Sequence, residues 1–259
     1  SGWAITMWLN VISSSIFSSD GYGNHTRHLM NALYKQFQDI SLDCPLPEGW
    51  ERHVSDEELK MITNPKKENE TLMFIGLPPF YPLVRNSANH KRFIGWAVWE
   101  GTACPRYWLK NLVSCDFVFV PSAFNAEAIL NTAENNNFWR LSDIVKVVPH
   151  GVNHKLFYPT KKWDEKGDIF TFVCNAGWRG GLYDRKGVPF LLKAFAEEFR
   201  KGEKVRLKLK INPAYSNQEQ VMAGIAALNL PEDKADIQVS VDNVNYASLR
   251  EFYNDGQWR

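Results

Sequence analysis

Residues 117–148 read FVFVPSAFNAEAILNTAENNNFWRLSDIVKVV, and this stretch contains the pattern on which the fold prediction depends. The short apolar run 117–121 predicts a buried strand, residues 123–130 have helical character, and residues 144–148 predict a second strand. A strand, a helix and a strand in this order are typical of parallel strands joined by a crossover helix. The segment therefore predicts an α/β protein with a parallel sheet covered by helices.

The same alternation extends towards both ends of the chain. Before residue 117, strands are predicted at 3–11, 40–42, 72–76 and 93–99, with helices around Met30, Leu33, Tyr34 and Phe37 and at 105–113. After the polar residues 160–168, strands are predicted at 169–174, 205–211 and 237–241, each followed by a helix. The interruption predicts two domains, residues 1–158 and 159–259, and the second is expected to be incomplete because three strands leave a sheet edge open.

Composition excludes several classes of protein. With 30 Lys+Arg against 29 Asp+Glu, the formal charge of +1 is too small to attract nucleic acid through an overall positive field. The four cysteines are too far apart in sequence for a zinc or redox motif, and no apolar run reaches the ~18 residues of a transmembrane segment. We therefore expect reduced thiols and a cytoplasmic protein, with peripheral membrane association as an alternative.

The residues Gly21-Tyr22-Gly23 lie between the first predicted strand and the first long helix. Glycines at such a turn allow a ligand to approach the N-terminus of a helix closely, but they also serve as purely structural turns. A nicotinamide dinucleotide site is disfavoured, because its fingerprint requires a third glycine where this chain has Thr26. Close approach by another ligand and a structural turn both remain open.

A second glycine-containing turn, residues 179–187 (RGGLYDRKG), follows the first strand of the second domain. Its cations precede a helix, so Arg179 and Lys186 could bind a diphosphate together with the N–H groups of that helix. A solvated basic loop explains the same residues equally well. The sequence contains no Gly-x4-Gly-Lys-Ser/Thr phosphate loop.

Three further polar residues have the spacing or position of site residues. His150 and His154 have the spacing of a helical metal site, but Pro149 and Gly151 make a helix there implausible, so no metal is predicted. Glu100 follows Trp99 at the predicted end of a strand, with Trp96 nearby. Because ligands of open α/β sheets bind beyond the carboxyl ends of strands, Glu100 is a candidate for contact with substrate.

Several motifs together resemble a known family. They are GYGN at 21–24, CDFVFVPS at 115–122, VVPHGVN at 147–153 with FYP at 157–159, and RKG at 185–187 leading into LLKAF at 191–195. In this order, over nearly the whole chain, they resemble the retaining GT-B glycosyltransferases of family 4. The resemblance implies two Rossmann-like domains that face each other across a cleft, with the acceptor mainly on the first and a nucleotide-sugar donor mainly on the second.

The resemblance also implies roles for individual residues. Gly23, with Gly21 beside it, corresponds to the loop glycine that approaches the donor phosphate and the acceptor. Arg179 and Lys186 correspond to the cations that hold the donor diphosphate, although residues 180–182 interrupt the usual spacing after the arginine. His150 corresponds to the entry of the interdomain linker. The Glu-x7-Glu segment of the family is absent from these 259 residues, so little turnover is expected from the chain alone.

The leading hypothesis is therefore a metal-independent hexosyltransferase without a cofactor. It would move a sugar from a nucleotide diphosphate sugar to an unknown acceptor, which could be a sugar, a lipid-linked molecule or a protein, with retention of configuration. No catalytic nucleophile is expected, because the departing phosphate would accept the acceptor's proton. The alternatives are a catalytically silent nucleotide-binding or assembly module and, less favoured because of Thr26, an NAD-dependent oxidoreductase.

Overall fold

A computed structural model describes residues 8–18, 20–160 and 167–256. The chain forms two compact units, Ser1–Gly151 (unit 1) and Val152–Arg259 (unit 2). The units divide after Gly151, whereas the domain boundary predicted from the sequence lies after Tyr158. Each unit has its own sheet and its own hydrophobic core.

Unit 1 contains a six-stranded sheet in which all pairs of neighbouring strands are parallel, in the order β2-β1-β3-β4-β5-β6. Its strands are β1 (Leu9–Ser13), β2 (Ile40–Asp43), β3 (Glu70–Ile75), β4 (His90–Trp96), β5 (Phe117–Val120) and β6 (Val145–Val147). Its α-helices are α1 (Gly21–Tyr34), α2 (Asp56–Thr63), α3 (Tyr81–Arg85), α4 (Leu109–Leu112), α5 (Ala123–Glu134) and α6 (Leu141–Ile144). Short 3₁₀ turns lie at Trp50–His53, Pro78–Phe80 and Arg106–Trp108.

The sheet of unit 1 is buried on both faces, as expected for parallel strands covered by helices. Along β3, Leu72 and Phe74 join one core cluster, while Met73 and Ile75 join the other. Strand β3 thus supplies apolar side chains to two layers. This explains why the strands read as short continuous apolar runs in the sequence.

Unit 2 contains the parallel strands β7 (Phe170–Ala176), β8 (Val205–Ile211) and β9 (Asp236–Ser240), in that order, and the helices α7 (Val188–Glu198), α8 (Gln218–Ala226) and α9 (Tyr246–Asp255). The residues Leu207, Leu209 and Ile211 of β8 are buried in its core cluster. The α/β class with parallel sheets is therefore confirmed in both units.

The polar side chains of β8 are partly covered by helix α9. The ammonium group of Lys208 lies 2.7 Å from the carboxylate of Asp255, at the end of α9, and Lys210 is buried. The hydroxyl of Tyr253 in α9 also accepts a hydrogen bond from the side chain of Asn175 in β7, at 3.0 Å. Helix α9 therefore covers part of the polar face of β8.

The bounds of several elements also differ from the prediction. Strand β1 continues to Ser13, while residues 3–7 of the predicted strand lie outside the described residues. Strand β4 ends at Trp96, three residues before the predicted end. Helix α2 was not predicted, although the side chain of Ser55 and that of Glu58 form a capping box at its start.

Within the described residues, no helix is both long and apolar enough to cross a membrane.

Candidate functional site

The glycine-containing turn of unit 2 is held in place by a buried tryptophan. Trp178 is almost fully buried, its indole N–H donates to the carbonyl of Gly181 at 3.0 Å, and its own carbonyl accepts a hydrogen bond from the hydroxyl of Ser216. Gly180 has a φ of +78°, and a Cβ there would lie 2.7 Å from the carbonyl oxygen of Gln220 in α8. The turn is thus anchored on one side, while the side chains of Arg179 and Lys186 are exposed.

The start of α7 differs from the expectation that its N–H groups are all available to an anion. The carboxylate of Asp184 accepts hydrogen bonds from the backbone N–H groups of Lys186 at 3.1 Å and Val188 at 3.4 Å, and Pro189 has no N–H. Gly187 precedes the helix with a φ of +74° and offers no side-chain cap. The chain's own carboxylate therefore occupies part of the helix N-terminus, close in sequence to the two cations.

The sequence predicts that Gly21 and Gly23 lie in a turn before the first long helix. In the structure both lie in the first turn of α1. Helix α1 begins at Gly21 because the carboxylate of Asp20 accepts a hydrogen bond from the N–H of Gly23 at 2.8 Å. A Cβ on Gly23 would lie 2.0 Å from the carbonyl oxygen of Ser18 and 2.4 Å from that of Ser15. The close approach at Gly23 is thus made by this chain's own backbone, whereas the space around Gly21 is open.

Thr26 follows one turn later and is fully buried. Its hydroxyl lies 3.2 Å from that of Ser13 at the end of β1. The position at which a dinucleotide fingerprint has its third glycine is therefore filled by a side chain that joins the helix to the strand.

His150, one of the predicted site residues, is part of a ring stack in unit 1. Its imidazole stacks on that of His25 in α1 with 3.9 Å between ring centroids, and His25 in turn lies 4.6 Å from the indole of Trp96 at the end of β4. Burial, together with the charges of His150 and His28, lowers the pKa of His25 to about 4, and burial also lowers the pKa of His150. The imidazole of His25 is consequently uncharged at neutral pH, and burial favours the uncharged form of His150 as well.

Buried polar atoms accumulate at the same edge of the sheet. Among the described residues, Nε2 of His25, Nε1 of Trp96 and Oγ of Ser15 are buried without a hydrogen-bond partner. Native proteins leave few such atoms unpaired, and each unpaired atom is a place where water or a ligand group can donate or accept. Sequence reasoning did not find His25 or Ser15, since neither belongs to a recognisable motif.

Glu100 is exposed and lies four residues beyond the end of β4. The neighbouring indoles serve packing, because Trp96 is buried in the core and Trp99 packs edge-to-face on Trp108 at 5.1 Å. Burial raises the pKa of Tyr22, and the negative charges of Glu100 and Asp20 raise it further. Glu100 is thus near the first turn of α1.

The predicted residues accordingly form two groups, one in each unit. Gly21, Gly23, Glu100 and His150 converge around the start of α1 in unit 1, through Tyr22 and His25. Arg179 and Lys186 share the turn before α7 in unit 2. Over residues 8–18, 20–160 and 167–256, no group of three or more His, Cys, Asp or Glu side chains could hold a metal ion.

Comparison with solved structures places this architecture among known proteins. The chain is similar to the apo form of the lipopolysaccharide outer core galactosyltransferase WaaB, with a TM-score of 0.54 and 12% sequence identity, over 96% of this chain and 72% of that chain. No protein-family profile and no curated protein sequence matches the chain. At this identity the likeness concerns the fold, and the fold of this chain is of the GT-B type, in agreement with the expectation from its sequence.

Proposed function

We propose that this protein is a retaining glycosyltransferase of family 4 that moves a sugar from a nucleotide diphosphate sugar to an acceptor. The observation that carries the proposal is the anchored turn of unit 2, which presents Arg179 and Lys186 before a helix in a fold of the GT-B type. Guanidinium and ammonium groups are the side chains best suited to bind a diphosphate.

The two cations would act mainly on the leaving group. Cleavage of the bond between sugar and phosphate leaves negative charge on the β-phosphate, so groups that stabilise this charge lower the barrier more than they stabilise the bound donor. Arg179 and Lys186 would supply this stabilisation without a metal ion or cofactor. Asp184 would have to turn away, or its carboxylate would repel the diphosphate at the start of α7.

Retention requires no nucleophile from the protein if the acceptor attacks from the face that the phosphate leaves. The departing phosphate oxygen would then accept the proton of the acceptor's hydroxyl group, while the protein holds the two substrates in position. This assignment agrees with a sequence in which no nucleophile motif was found.

The acceptor would bind at the start of α1 in unit 1. The imidazoles of His25 and His150 and the carboxylate of Glu100 could bind the hydroxyl groups of a sugar, whether free or attached to a lipid or a protein. Glu100 is the candidate for direct contact, since it is exposed near Tyr22. Replacement by Gln would test this through the KM for the acceptor.

The test of the donor site is calorimetric titration with a nucleoside diphosphate. Lys186→Ala should weaken binding by about 1 to 3 kcal/mol, the scale of a charged hydrogen bond. Lys193→Ala is the matched control, because it removes the same charge from an exposed position farther along α7. Asp184→Asn should strengthen binding several-fold, since the amide oxygen can still accept from the backbone while the negative charge is removed.

Equal affinity of the wild type and Lys186→Ala would refute the donor assignment. Binding without transfer of sugar from any donor, in a preparation confirmed to be folded, would favour a nucleotide-binding or assembly module of the same fold. Tight binding of a nicotinamide dinucleotide would instead favour an oxidoreductase.

A further inference from the structure

Two short helical segments of unit 1 lie side by side and share one core. The first is the 3₁₀ turn Pro78–Phe80 with α3, and the second is the 3₁₀ turn Arg106–Trp108 with α4. Tyr81 and Val84 from the first, and Trp108, Leu109 and Leu112 from the second, are buried in the same apolar cluster. The guanidinium of Arg85 donates to the carbonyl of Ser114 and joins the ends of the two segments.

The outer faces of these segments are also apolar. Leu83 is 73% exposed, Tyr107 66%, Phe80 53% and Leu77 43%. The neighbouring Pro79 and Pro82 are exposed as well. A short segment that is apolar on both sides is unusual at a water-facing surface, where contiguous exposed apolar side chains generally mark a binding region.

The segment that carries these side chains has a net positive charge. Residues 77–113 contain five Lys and Arg residues and one acidic residue, Glu100, which gives this segment a formal charge of +4 in a chain whose total is +1. Arg106 and Lys110 are exposed beside Tyr107, and Lys91 and Arg92 are exposed at the start of β4. We call Leu77, Phe80, Leu83 and Tyr107, together with Arg106 and Lys110, the apolar-basic surface.

We infer that the apolar-basic surface binds a lipid bilayer that contains anionic headgroups. Apolar side chains on short amphipathic segments insert at the boundary between headgroups and acyl chains, tyrosine is favoured at this depth, and neighbouring cations are attracted to anionic lipid. A second copy of the chain is a poorer partner, because a two-fold contact would bring Arg106 and Lys110 against the same cations. This inference does not depend on the proposed transferase activity.

The test is co-sedimentation of the full chain with vesicles. Binding is expected to vesicles of phosphatidylcholine mixed with phosphatidylglycerol, and to be much weaker with phosphatidylcholine alone or at high salt. The variant F80S/L83S should reduce partitioning by about tenfold or more, since it removes two of the inserted side chains. Trp139→Ser is the matched control, because Trp139 is an exposed aromatic of unit 1 outside this surface.

A second variant separates lost binding from lost folding. R106E/K110E changes only exposed charges, so it should keep the wild-type circular dichroism and thermal transition while it lowers binding to anionic vesicles. Nucleoside-diphosphate affinity, measured without vesicles, should be the same in all these variants and the wild type.

The inference is wrong if the wild type does not sediment with anionic vesicles, or if F80S/L83S and R106E/K110E bind as well as Trp139→Ser. Dimers of the wild type that F80S/L83S abolishes, without vesicle binding, would assign the surface to self-association instead.

Discussion

The first strand-to-helix turns of the two units use glycine in opposite ways. Before α1, the chain folds against its own helix so closely that Gly23 has no room for a Cβ, and the carboxylate of Asp20 caps the helix. Before α7, Gly180 is also held against Gln220 of α8, but Gly181 has only ordinary contacts, and the side chain of Asp184 accepts from the N–H of Val188. The same kind of sequence signal thus produces a closed turn in unit 1 and an open one in unit 2.

The difference between the two turns distinguishes a glycine that packing requires from a turn that can bind a ligand. The backbone of Ser15 and Ser18 is sufficient to require glycine at position 23. Gly23 therefore gives no independent support to a phosphate site. The turn in unit 2 is anchored by Trp178 and presents exposed cations, which is the arrangement expected of a preformed anion site. The donor hypothesis therefore depends chiefly on Arg179 and Lys186.

Alanine substitutions at the two turns should give the largest contrast. Gly23→Ala should destabilise the protein by about 3 kcal/mol, because the added methyl group would overlap the carbonyl oxygens of Ser15 and Ser18. Gly181→Ala should change stability by less than about 0.5 kcal/mol. Urea denaturation measures both, and equal effects at the two positions would mean that the first turn can open to admit a side chain.

Acid should weaken the closed turn more than the open one. The pKa of His25 falls from 6.5 to about 4 on folding, so below pH 6.5 the unfolded chain binds a proton that the folded chain resists. Protonation of His25 in the unfolded chain therefore leaves the stability unchanged above pH 6.5. It lowers the free energy of unfolding increasingly as the pH falls towards 4, by at most about 3 kcal/mol. The free energy of unfolding, measured between pH 4 and 7, should decrease accordingly.

The variant His25→Gln isolates this effect from the titration of other groups. It cannot acquire the proton, so its stability should decrease less steeply with falling pH than that of the wild type. Hydrogen exchange should locate the loss, with amides of α1 exchanging faster in acid than those of α7 after correction for intrinsic rates. Parallel stability curves for wild type and variant would show that His25 titrates normally in the folded protein.

Much of the fold was accessible from the sequence because parallel strands are buried on both faces. Short apolar runs such as residues 117–120 and 72–75 were therefore visible without knowledge of the tertiary structure. Helix α2 was missed because its first turn is acidic and only its capping box signals it. Glu58 in that turn is buried and accepts hydrogen bonds from Arg27 at 2.7 and 2.8 Å, a contact between residues far apart in sequence.

The candidate site was accessible only where its residues lie in one turn. Arg179 and Lys186 could be grouped from the sequence because they lie only seven positions apart. The contact of His25 with His150 joins residues 125 positions apart, and it arises from the order in which the strands of unit 1 are arranged. No local pattern encodes such a contact, and the sequence accordingly identified His150 but not its partner.

The sheets of the two units should differ in their protection from exchange. Strand β5 lies between β4 and β6, whereas β9 pairs with β8 alone among the described strands. Amides of residues 237–240 should therefore exchange at least about tenfold faster than those of residues 117–120, after correction for intrinsic rates. Native-state hydrogen exchange followed by mass spectrometry tests this, and equal protection would mean that another segment covers the edge at β9.

The smallest effect is expected from the cap of α1. Asp20→Ala removes the acceptor of the 2.8 Å hydrogen bond from the N–H of Gly23, and loss of such a cap costs about 1 kcal/mol. Asp20→Asn should retain most of the stability, because its side-chain oxygen can accept the same hydrogen bond. Neither substitution should alter nucleoside-diphosphate affinity if that ligand binds at the open turn of unit 2. A loss of nucleoside-diphosphate affinity in Asp20→Ala without a loss of stability would mean that the start of α1 is part of the donor site. The two turns would then not differ in ligand binding.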